Sequence, residues 1–223
     1  MRGWTRIKAF AANVRELNLV VSVSFARNFL EIPEWVKPYL EIGFFRVDSR
    51  PVHSRLMEIR LLTEHDAEAW WQLRLLGLTT DPVSFAESAD EHRKKTMQEV
   101  RTFFRACSPE NFVVGSFEGG ELVAMAGFYR ERHDKFRHKG TIWSVYVRQE
   151  SRGKGLAKAL LSEIIRRVRL VEGIEQINLI VSATQPVAKR VYSSLGFKHY
   201  GTEPRSLKIG DTYIDDELMV LYL

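Results

Sequence analysis

A glycine-rich turn between an apolar stretch and a helix-like stretch constrains the fold of this chain more than any other feature. At residues 152–157 the sequence reads RGKGLA, directly after TIWSVYV and directly before KALLSEIIRRV. Leu156, Leu160, Ile164 and Val168 follow at four-residue spacing, which indicates the buried face of a helix. The sequence therefore predicts a strand, a tight turn and a helix in direct succession.

The turn has the features of an anion-binding site. The first four or so N–H groups of a helix have no intrahelical acceptor, and the helix dipole adds partial positive charge at the same end. Gly153 and Gly155 leave such amides uncovered, while Arg152 and Lys154 add two full positive charges. Two interpretations stay open: the turn cradles a phosphate, or its glycines only allow a tight connection.

Two common phosphate-binding motifs do not match this turn. The P-loop pattern requires a hydroxyl residue after its Gly-Lys pair, whereas Gly155 follows Lys154 in this chain. The dinucleotide-binding pattern GxGxxG requires a third glycine at the position of Lys158. Any phosphate bound here is therefore held by a different arrangement.

From Met57 onward the chain alternates between strand-like and helix-like segments, which predicts an α/β domain. Strands are predicted at residues 57–62, 111–117, 122–130, 141–147 and 176–182, and two more close the chain around 208–217. Helices are predicted at residues 67–78, 90–106, 156–168 and 186–196. A glycine turn joins the second and third strands, and Thr63 with Asp66 matches the N-cap of the first helix.

The first 56 residues differ from the rest in composition. They carry nine lysines and arginines against five acidic residues, so most of the net charge of +5 belongs to them. Glu16 interrupts the only apolar leader, so a secretory signal is not predicted. We interpret residues 1–56 as an extension of a domain at residues 57–223, or as sequence upstream of a natural start at Met57. The excess charge is weak support for a nucleic-acid partner, and none is predicted.

The composition also bears on compartment and metal content. Cys107 is the single cysteine, so an intramolecular disulfide and a cysteine-based zinc site are excluded. No apolar run reaches the roughly 18 residues that a membrane span needs, so no membrane partner is predicted. The six histidines form no metal pattern, and His133 and His138 lie in a loop of mixed charge. We predict a cytoplasmic protein without a bound metal.

The glycine-rich turn also matches a family pattern. Arg152, Gly155 and Ala157 satisfy Gln/Arg-x-x-Gly-x-Gly/Ala, between a strand ending in VYV and a helix containing ALL. A second stretch, NLIVS followed by QPVAKRVYSSLGF, matches Asn-x-x-Ala-x-x-x-Tyr and then Leu-Gly-Phe, with Gln185 in place of the asparagine. The opening MEIRLLTEHDAEAWWQLRL is also typical of the family. Residues 57–223 therefore resemble the GCN5-related N-acetyltransferase (GNAT) superfamily.

This resemblance implies a fold and a set of coenzyme-binding residues. The fold is a mixed α/β sheet with flanking helices, splayed between its fourth and fifth strands to admit the pantetheine arm of acetyl-coenzyme A. The implied pantetheine-binding residues are Val145, Tyr146 and Val147. The implied pyrophosphate-binding residues are Arg152, Gly153, Lys154, Gly155, Leu156, Ala157 and Lys158. The amide of Gln185 is expected to take over the hydrogen bond of the family's asparagine.

The resemblance also implies a reaction, the direct transfer of an acetyl group from acetyl-coenzyme A to a primary amine without an acyl-enzyme. The backbone N–H of Val147 is expected to stabilise the negative charge on the thioester oxygen. Tyr192 is expected to protonate the departing thiolate, with a purely structural role as the alternative. Glu87, Ser144 and Glu217 are candidates for the general base, each with a solvated or structural alternative.

The acceptor is not specified by the sequence. A small amine, a protein N-terminus and a lysine all stay open, and so does a homodimer. The segments expected to contact the acceptor are residues 78–95, 131–139 and 203–217, and one of Trp70 and Trp71 is expected to face the acceptor cleft or a partner. The alternative function is a non-catalytic module that binds the coenzyme and regulates a partner.

Overall fold

The seven strands of the described region form one mixed sheet. The computed structural model describes residues 57–223, and the predictions for residues 1–56 lie outside that range. The strands run in the order β1-β2-β3-β4-β5-β7-β6, and β4 with β5 is the parallel pair. Their bounds are Met57–Leu61 (β1), Asn111–Glu118 (β2), Glu121–Arg130 (β3), Lys139–Val147 (β4), Gln176–Ser182 (β5), Lys198–Ile209 (β6) and Thr212–Tyr222 (β7).

The helices agree with the sequence prediction except in one segment. Their bounds are Ala67–Thr80 (α1), Ala89–Arg93 (α2), Met97–Arg105 (α3), Leu156–Val168 (α4) and Pro186–Ser194 (α5). The single helix predicted at residues 90–106 is wrong, because α2 and α3 are separate. Thr96 has extended backbone angles and caps α3, where its hydroxyl accepts a hydrogen bond from the N–H of Glu99 at 3.2 Å. This capping box starts a new helix and ends the preceding one.

Thr63 caps a short 3₁₀ turn that precedes α1, and not α1 itself. The N–H of Thr63 donates to the carboxylate of Asp66 at 2.8 Å. The short 3₁₀ turn Glu64–Asp66 lies between them, and α1 begins only at Ala67. The cap pairing is therefore confirmed, but it closes this turn and not the first turn of α1.

Helices cover the sheet on both faces. Side chains of β3 alternate between the two faces, since Ala124 and Ala126 join a core cluster with α4 and α5, while Met125 joins a second cluster with α1 and α3. The predicted buried face of α4 is confirmed, because each of its four members is at most 1% exposed: Leu156, Leu160, Ile164 and Val168. Full burial of such a side chain stabilises the fold by about 1.5–3 kcal/mol.

The sheet opens between β4 and β5. Only the first three residues of each strand pair, Lys139–Thr141 of β4 with Gln176–Asn178 of β5. On its other edge, β5 pairs along its whole length with β7. The predicted splay between the fourth and fifth strands is therefore confirmed. It leaves the C-terminal half of β4 without a partner on the β5 side, and the turn into α4 begins directly after that half.

No helix within residues 57–223 combines the length and the hydropathy that a bilayer crossing requires.

Candidate active site

A cavity of about 400 Å³ lies at the opening between β4 and β5. Its walls come from the end of β4, the turn before α4, the first turn of α4 and one side of α5. The structure brings Tyr192 and all but one of the predicted coenzyme-binding residues to this cavity: Val145, Tyr146, Val147, Arg152, Gly153, Gly155, Leu156, Ala157, Lys158 and Gln185. The exception is Lys154.

The turn before α4 leaves a row of backbone amides beside the cavity. Gly153 and Gly155 have φ of +79° and +78°, a region that side chains rarely adopt, so the connection itself favours glycine. A Cβ atom at either position would meet no other atom within 4 Å, so the same glycines also keep the amides uncovered. The first intrahelical bond runs from the N–H of Ala159 to the carbonyl of Gly155 at 3.0 Å. The N–H groups of the preceding turn therefore remain available to an anion.

The two cations of the turn are already paired with carboxylates. Arg152 donates to Asp81 at 2.5 Å and to the carbonyl of Val147 at 3.1 Å, and its guanidinium lies 5.8 Å from the ring centre of Tyr146. Asp81 also lines the cavity, although the sequence analysis did not single it out.

Lys154 points to Glu118 instead of the cavity. Its ammonium group lies 2.9 Å from the Glu118 carboxylate. Lys154 pairs with this carboxylate at the end of β2 and does not line the cavity, so the contact of its side chain with an anion stays a prediction.

Tyr192 lines the cavity from α5. The side chain is buried and packs edge-on against Phe197, with ring centres 6.2 Å apart. Burial raises the pKa of Tyr192 to about 12, because the phenolate would lose its hydration. The hydroxyl carries its proton at neutral pH, as any tyrosine does, and the raised pKa makes it a weaker acid than an exposed tyrosine.

A smaller cavity of about 80 Å³ continues the opening along the two strands. It shares Ser84, Val145, Gln185, Ala188 and Tyr192 with the larger cavity, so the two adjoin. Its other walls include two hydroxyl side chains, those of Ser144 on β4 and Ser182 on β5. A ligand held at the turn before α4 can thus extend past Tyr192 into the gap of the sheet.

Glu87, one candidate base, is part of an ion cluster. Arg74 donates to its Oε2 atom at 3.0 and 2.9 Å through Nε and Nη2, and Lys95 contacts its other oxygen. Burial alone would raise the pKa of Glu87, but the hydrogen bonds and charges of Lys95 and Arg74 lower it below its usual value. A carboxylate held in this way is a weak proton acceptor, so the structural interpretation fits Glu87 better.

The other two candidate bases are also engaged. Glu217 accepts from the Lys189 ammonium group at 2.7 Å. The hydroxyl oxygen of Ser144 accepts from Nη1 of Arg74. Ser144 also has a φ of +55°, and this left-handed conformation of a residue other than glycine costs about 1–3 kcal/mol unless its surroundings offset it.

Arg74 links Glu87 and Ser144, and no sequence motif points to it. The residue is only 7% exposed, and its guanidinium lies 5.6, 5.5 and 5.3 Å from the ring centres of Trp70, Phe85 and Trp143. Burial lowers the pKa of Arg74, and the charge of Glu87 opposes that shift. An isolated arginine within a helical pattern is usually read as a surface residue, and only the tertiary contacts distinguish this one.

The aromatic pairs of α1 and α3 follow the sequence prediction in part. Trp70 and Phe104 are buried, while Trp71 and Phe103 are partly buried at the edge of the same core. Trp71 stacks on the buried ring of His92 at 5.2 Å and does not line either cavity. Its contact with an acceptor or a partner stays a prediction.

The three segments expected to contact the acceptor differ in position. Residues 78–95 supply Asp81 and Ser84 to the cavities, and Asp216 of the final hairpin pairs in register with Ser182. The 131–139 loop precedes the start of β4 and lines neither cavity. Its contact with the acceptor stays a prediction.

Within residues 57–223 no three histidine, cysteine, aspartate or glutamate side chains converge as they would around a metal ion.

Comparisons with known proteins agree on one family. Residues 70–197, more than half of the chain, match the model described as the acetyltransferase (GNAT) family. The fold is similar to a GNAT-family acetyltransferase from Streptococcus pneumoniae, at 22% identity and a TM-score of 0.68, over 75% of this chain and 99% of that one.

Two further similar structures contain acetyl-CoA. One is yncA from Salmonella typhimurium, at 24% identity and a TM-score of 0.66, over 74% of this chain and 93% of that one. The other is a phosphinothricin acetyltransferase from Sinorhizobium meliloti, at 20% identity and a TM-score of 0.66, over 75% of this chain and 88% of that one. At these identities the likenesses show the fold.

Proposed function

This chain belongs to the acetyltransferase (GNAT) family and is an acyltransferase, and we propose that it moves an acetyl group from acetyl-coenzyme A to a primary amine. One observation carries the proposal. The cavity at the opening of the sheet is lined both by uncovered helix amides and by the tyrosine side chain of Tyr192. The presence of acetyl-CoA in two structures of similar fold supports it as the co-substrate.

The coenzyme is proposed to bind by its phosphates and its thioester arm. The amides of residues 153–158 hold the diphosphate, with partial positive charge from the α4 dipole. Val145, Tyr146 and Val147 present backbone groups to the pantetheine arm, as an unpaired strand edge does. Gln185, at the head of α5, lines both cavities and reaches the same arm with its amide.

Val147 is proposed as the donor to the reacting oxygen. The N–H of Arg148 donates to Val123 of β3 at 2.9 Å, and backbone groups alternate along a strand, so the N–H of Val147 is directed away from β3. The Val147 carbonyl accepts from Arg152 on that same side. A fixed donor at the developing oxyanion lowers the barrier by roughly 3–4 kcal/mol.

The proposed reaction balances without an acyl-enzyme. The amine lone pair attacks the thioester carbonyl carbon, the C–N bond forms, and the C–S bond breaks with departure of the thiolate. The Tyr192 hydroxyl donates its proton to that sulfur and recovers one from water. Since Glu87, Ser144 and Glu217 are all engaged, we propose that the proton released by the amine passes to water in the open cavity.

A panel of amines tests this function. The full chain is incubated with acetyl-CoA and spermidine, an L-amino acid, glucosamine or a short lysine-containing peptide, and free thiol is measured. Thiol release that depends on one amine class, with the acetylated amine found by mass spectrometry, is the expected result. Tight acetyl-CoA binding without turnover on any of them would instead support a non-catalytic coenzyme-binding module.

A further inference from the structure

We propose that Arg74 is a positioning residue for the acetyl transfer, because it anchors the bulge of β4 that aims the backbone of Val145–Val147 into the cavity. This inference rests on the proposed function of the same site. It assigns a mechanistic role to a buried ion cluster that supplies no group to the reaction itself.

The bulge lies directly before the cavity-lining backbone. The register between β3 and β4 shifts between Met125 and Gly127, and Ser144 lies within that shift with a φ of +55°. Such a conformation of a non-glycine residue persists only where its surroundings hold it. The next three residues, Val145–Val147, line the larger cavity. The direction in which their N–H groups point therefore depends on how Ser144 is held.

Arg74, which lies on α1, holds Ser144 in place through a hydrogen bond. Its Nη1 atom donates to the Ser144 hydroxyl oxygen, while Nε and Nη2 both donate to Glu87. A planar guanidinium is able to make these contacts at once, whereas a lysine ammonium on a flexible stem does not reproduce the fork. Glu87 is held in turn by Lys95, so the anchor extends into the segment before α3.

Arg74 makes two kinds of polar contact, and only one of them reaches the bulge. Replacing a whole buried ion pair by apolar side chains commonly costs no stability, whereas removing one partner destabilises the fold because the other charge stays buried. When Arg74 is replaced, Glu87 keeps Lys95 as a partner, and three aromatic rings line the space that an apolar side chain would enter. An apolar residue would reproduce neither the pair with Glu87 nor the hydrogen bond to Ser144, and only the second contact bears on the bulge.

The inference predicts an effect on turnover rather than on coenzyme affinity. The amides of the turn before α4 hold the diphosphate and make no contact with Arg74, so the coenzyme still binds when Arg74 is replaced. In that variant the N–H of Val147 no longer points at the thioester oxygen. Loss of one oriented oxyanion donor costs about 10²–10³ in kcat when it is complete, so a partial misalignment should cost at least about tenfold.

The experiment compares Arg74→Met with the double variant Arg74→Met/Ser144→Gly in the full chain, using acetyl-CoA and the best amine of the panel. Glycine adopts a positive φ without an anchor, so Ser144→Gly should restore most of the kcat that Arg74→Met loses. The coenzyme dissociation constant should stay within about twofold throughout. Arg60→Met is the matched control, since Arg60 also pairs with a carboxylate, Asp66, and stacks 4.0 Å over Phe117, away from both cavities.

Two outcomes overturn the inference. One is an unchanged kcat in Arg74→Met, and the other is an equal loss with and without Ser144→Gly. If Arg74→Met fails to fold, Ser144→Ala removes the same hydrogen bond with the Arg74–Glu87 pair intact, and it should also lower kcat without weakening coenzyme binding.

A crystal structure of Arg74→Met or Ser144→Ala separates this inference from the proposed function. A φ at residue 144 that leaves the left-handed region supports the anchor even if no amine in the panel is acetylated. A φ that stays positive in the variant contradicts the anchor, whatever the activity of the wild-type chain.

Discussion

At the scale of single residues, Tyr192 carries the clearest chemical prediction. Its hydroxyl is protonated at neutral pH, as any tyrosine is, and burial raises its pKa further, to about 12. The raised value stabilises the folded chain below the ordinary phenol pKa, and this contribution is lost only as pH rises through about 12. Tyr192→Phe removes the proton donor and keeps the ring against Phe197. General acids contribute about 10²–10⁴ to rate, so kcat should fall by at least about 100-fold.

The measurement is thiol release at saturating amine, with acetyl-CoA binding followed by calorimetry. Tyr146 offers a comparison at the same cavity, but its hydroxyl is held at 3.0 Å by Thr80. Tyr146→Phe should therefore cost much less turnover than Tyr192→Phe. Equal turnover in Tyr192→Phe and the wild type would leave Tyr192 with a packing role alone.

The positions of residues at the cavity were predictable where they depend on local sequence and not where they depend on long-range contacts. Gly155 and Tyr192 stand within short patterns, and the structure places both at the cavity. Arg74 meets Ser144 across 70 positions of sequence, and Asp81 meets Arg152 across 71. No spacing rule connects residues so far apart, so the anchor of β4 and the carboxylate at the diphosphate turn emerge only from the fold.

At the scale of elements, strong periodicity predicted what packing then confirmed. The buried face of α4 and the hairpin of β2 and β3 follow from spacing and a glycine turn. The break between α2 and α3 was missed, although the Thr96–Glu99 capping box is visible in the sequence. Helix-favouring residues lie on both sides of that capping box, so helix propensity predicts one continuous helix. The hydrogen bonds of the capping box start a new helix there, which gives two.

The link between the end of α1 and the turn before α4 leads to a second prediction. Asp81 holds Arg152 and places a negative charge beside the proposed diphosphate site. Asp81→Asn should free the guanidinium and remove that repulsion. Since exposed ion pairs are worth about 0.2–1 kcal/mol, acetyl-CoA should bind up to about fivefold more tightly.

Calorimetric titration with acetyl-CoA at two salt concentrations measures this change. Glu64→Gln is the matched control, because Glu64 forms a similar surface pair with Arg105 at 2.5 Å and lies outside the cavity walls. Weaker binding in Asp81→Asn would mean that Asp81 holds Arg152 in the binding geometry and does not compete for it.

At the scale of the whole molecule, the described part of the chain holds both core clusters, the opening of the sheet and the cavity walls named above. We therefore propose that residues 57–223 form the acetyltransferase domain. If so, a chain that begins at Met57 should bind acetyl-CoA within about twofold of the full chain and keep its kcat. Thermal unfolding and thiol release on both chains provide the measurement.

The same pair of chains tests the role of the basic N-terminal residues. Residues 1–56 hold most of the excess positive charge, so any affinity for nucleic acid should weaken as salt rises and disappear from the shorter chain. Acetyl transfer, in contrast, should be equal in both. A shorter chain that folds but loses coenzyme binding would contradict the proposed domain boundary at Met57. The residues of the described cavity would then not be sufficient to hold the diphosphate, and part of the binding site would lie before Met57.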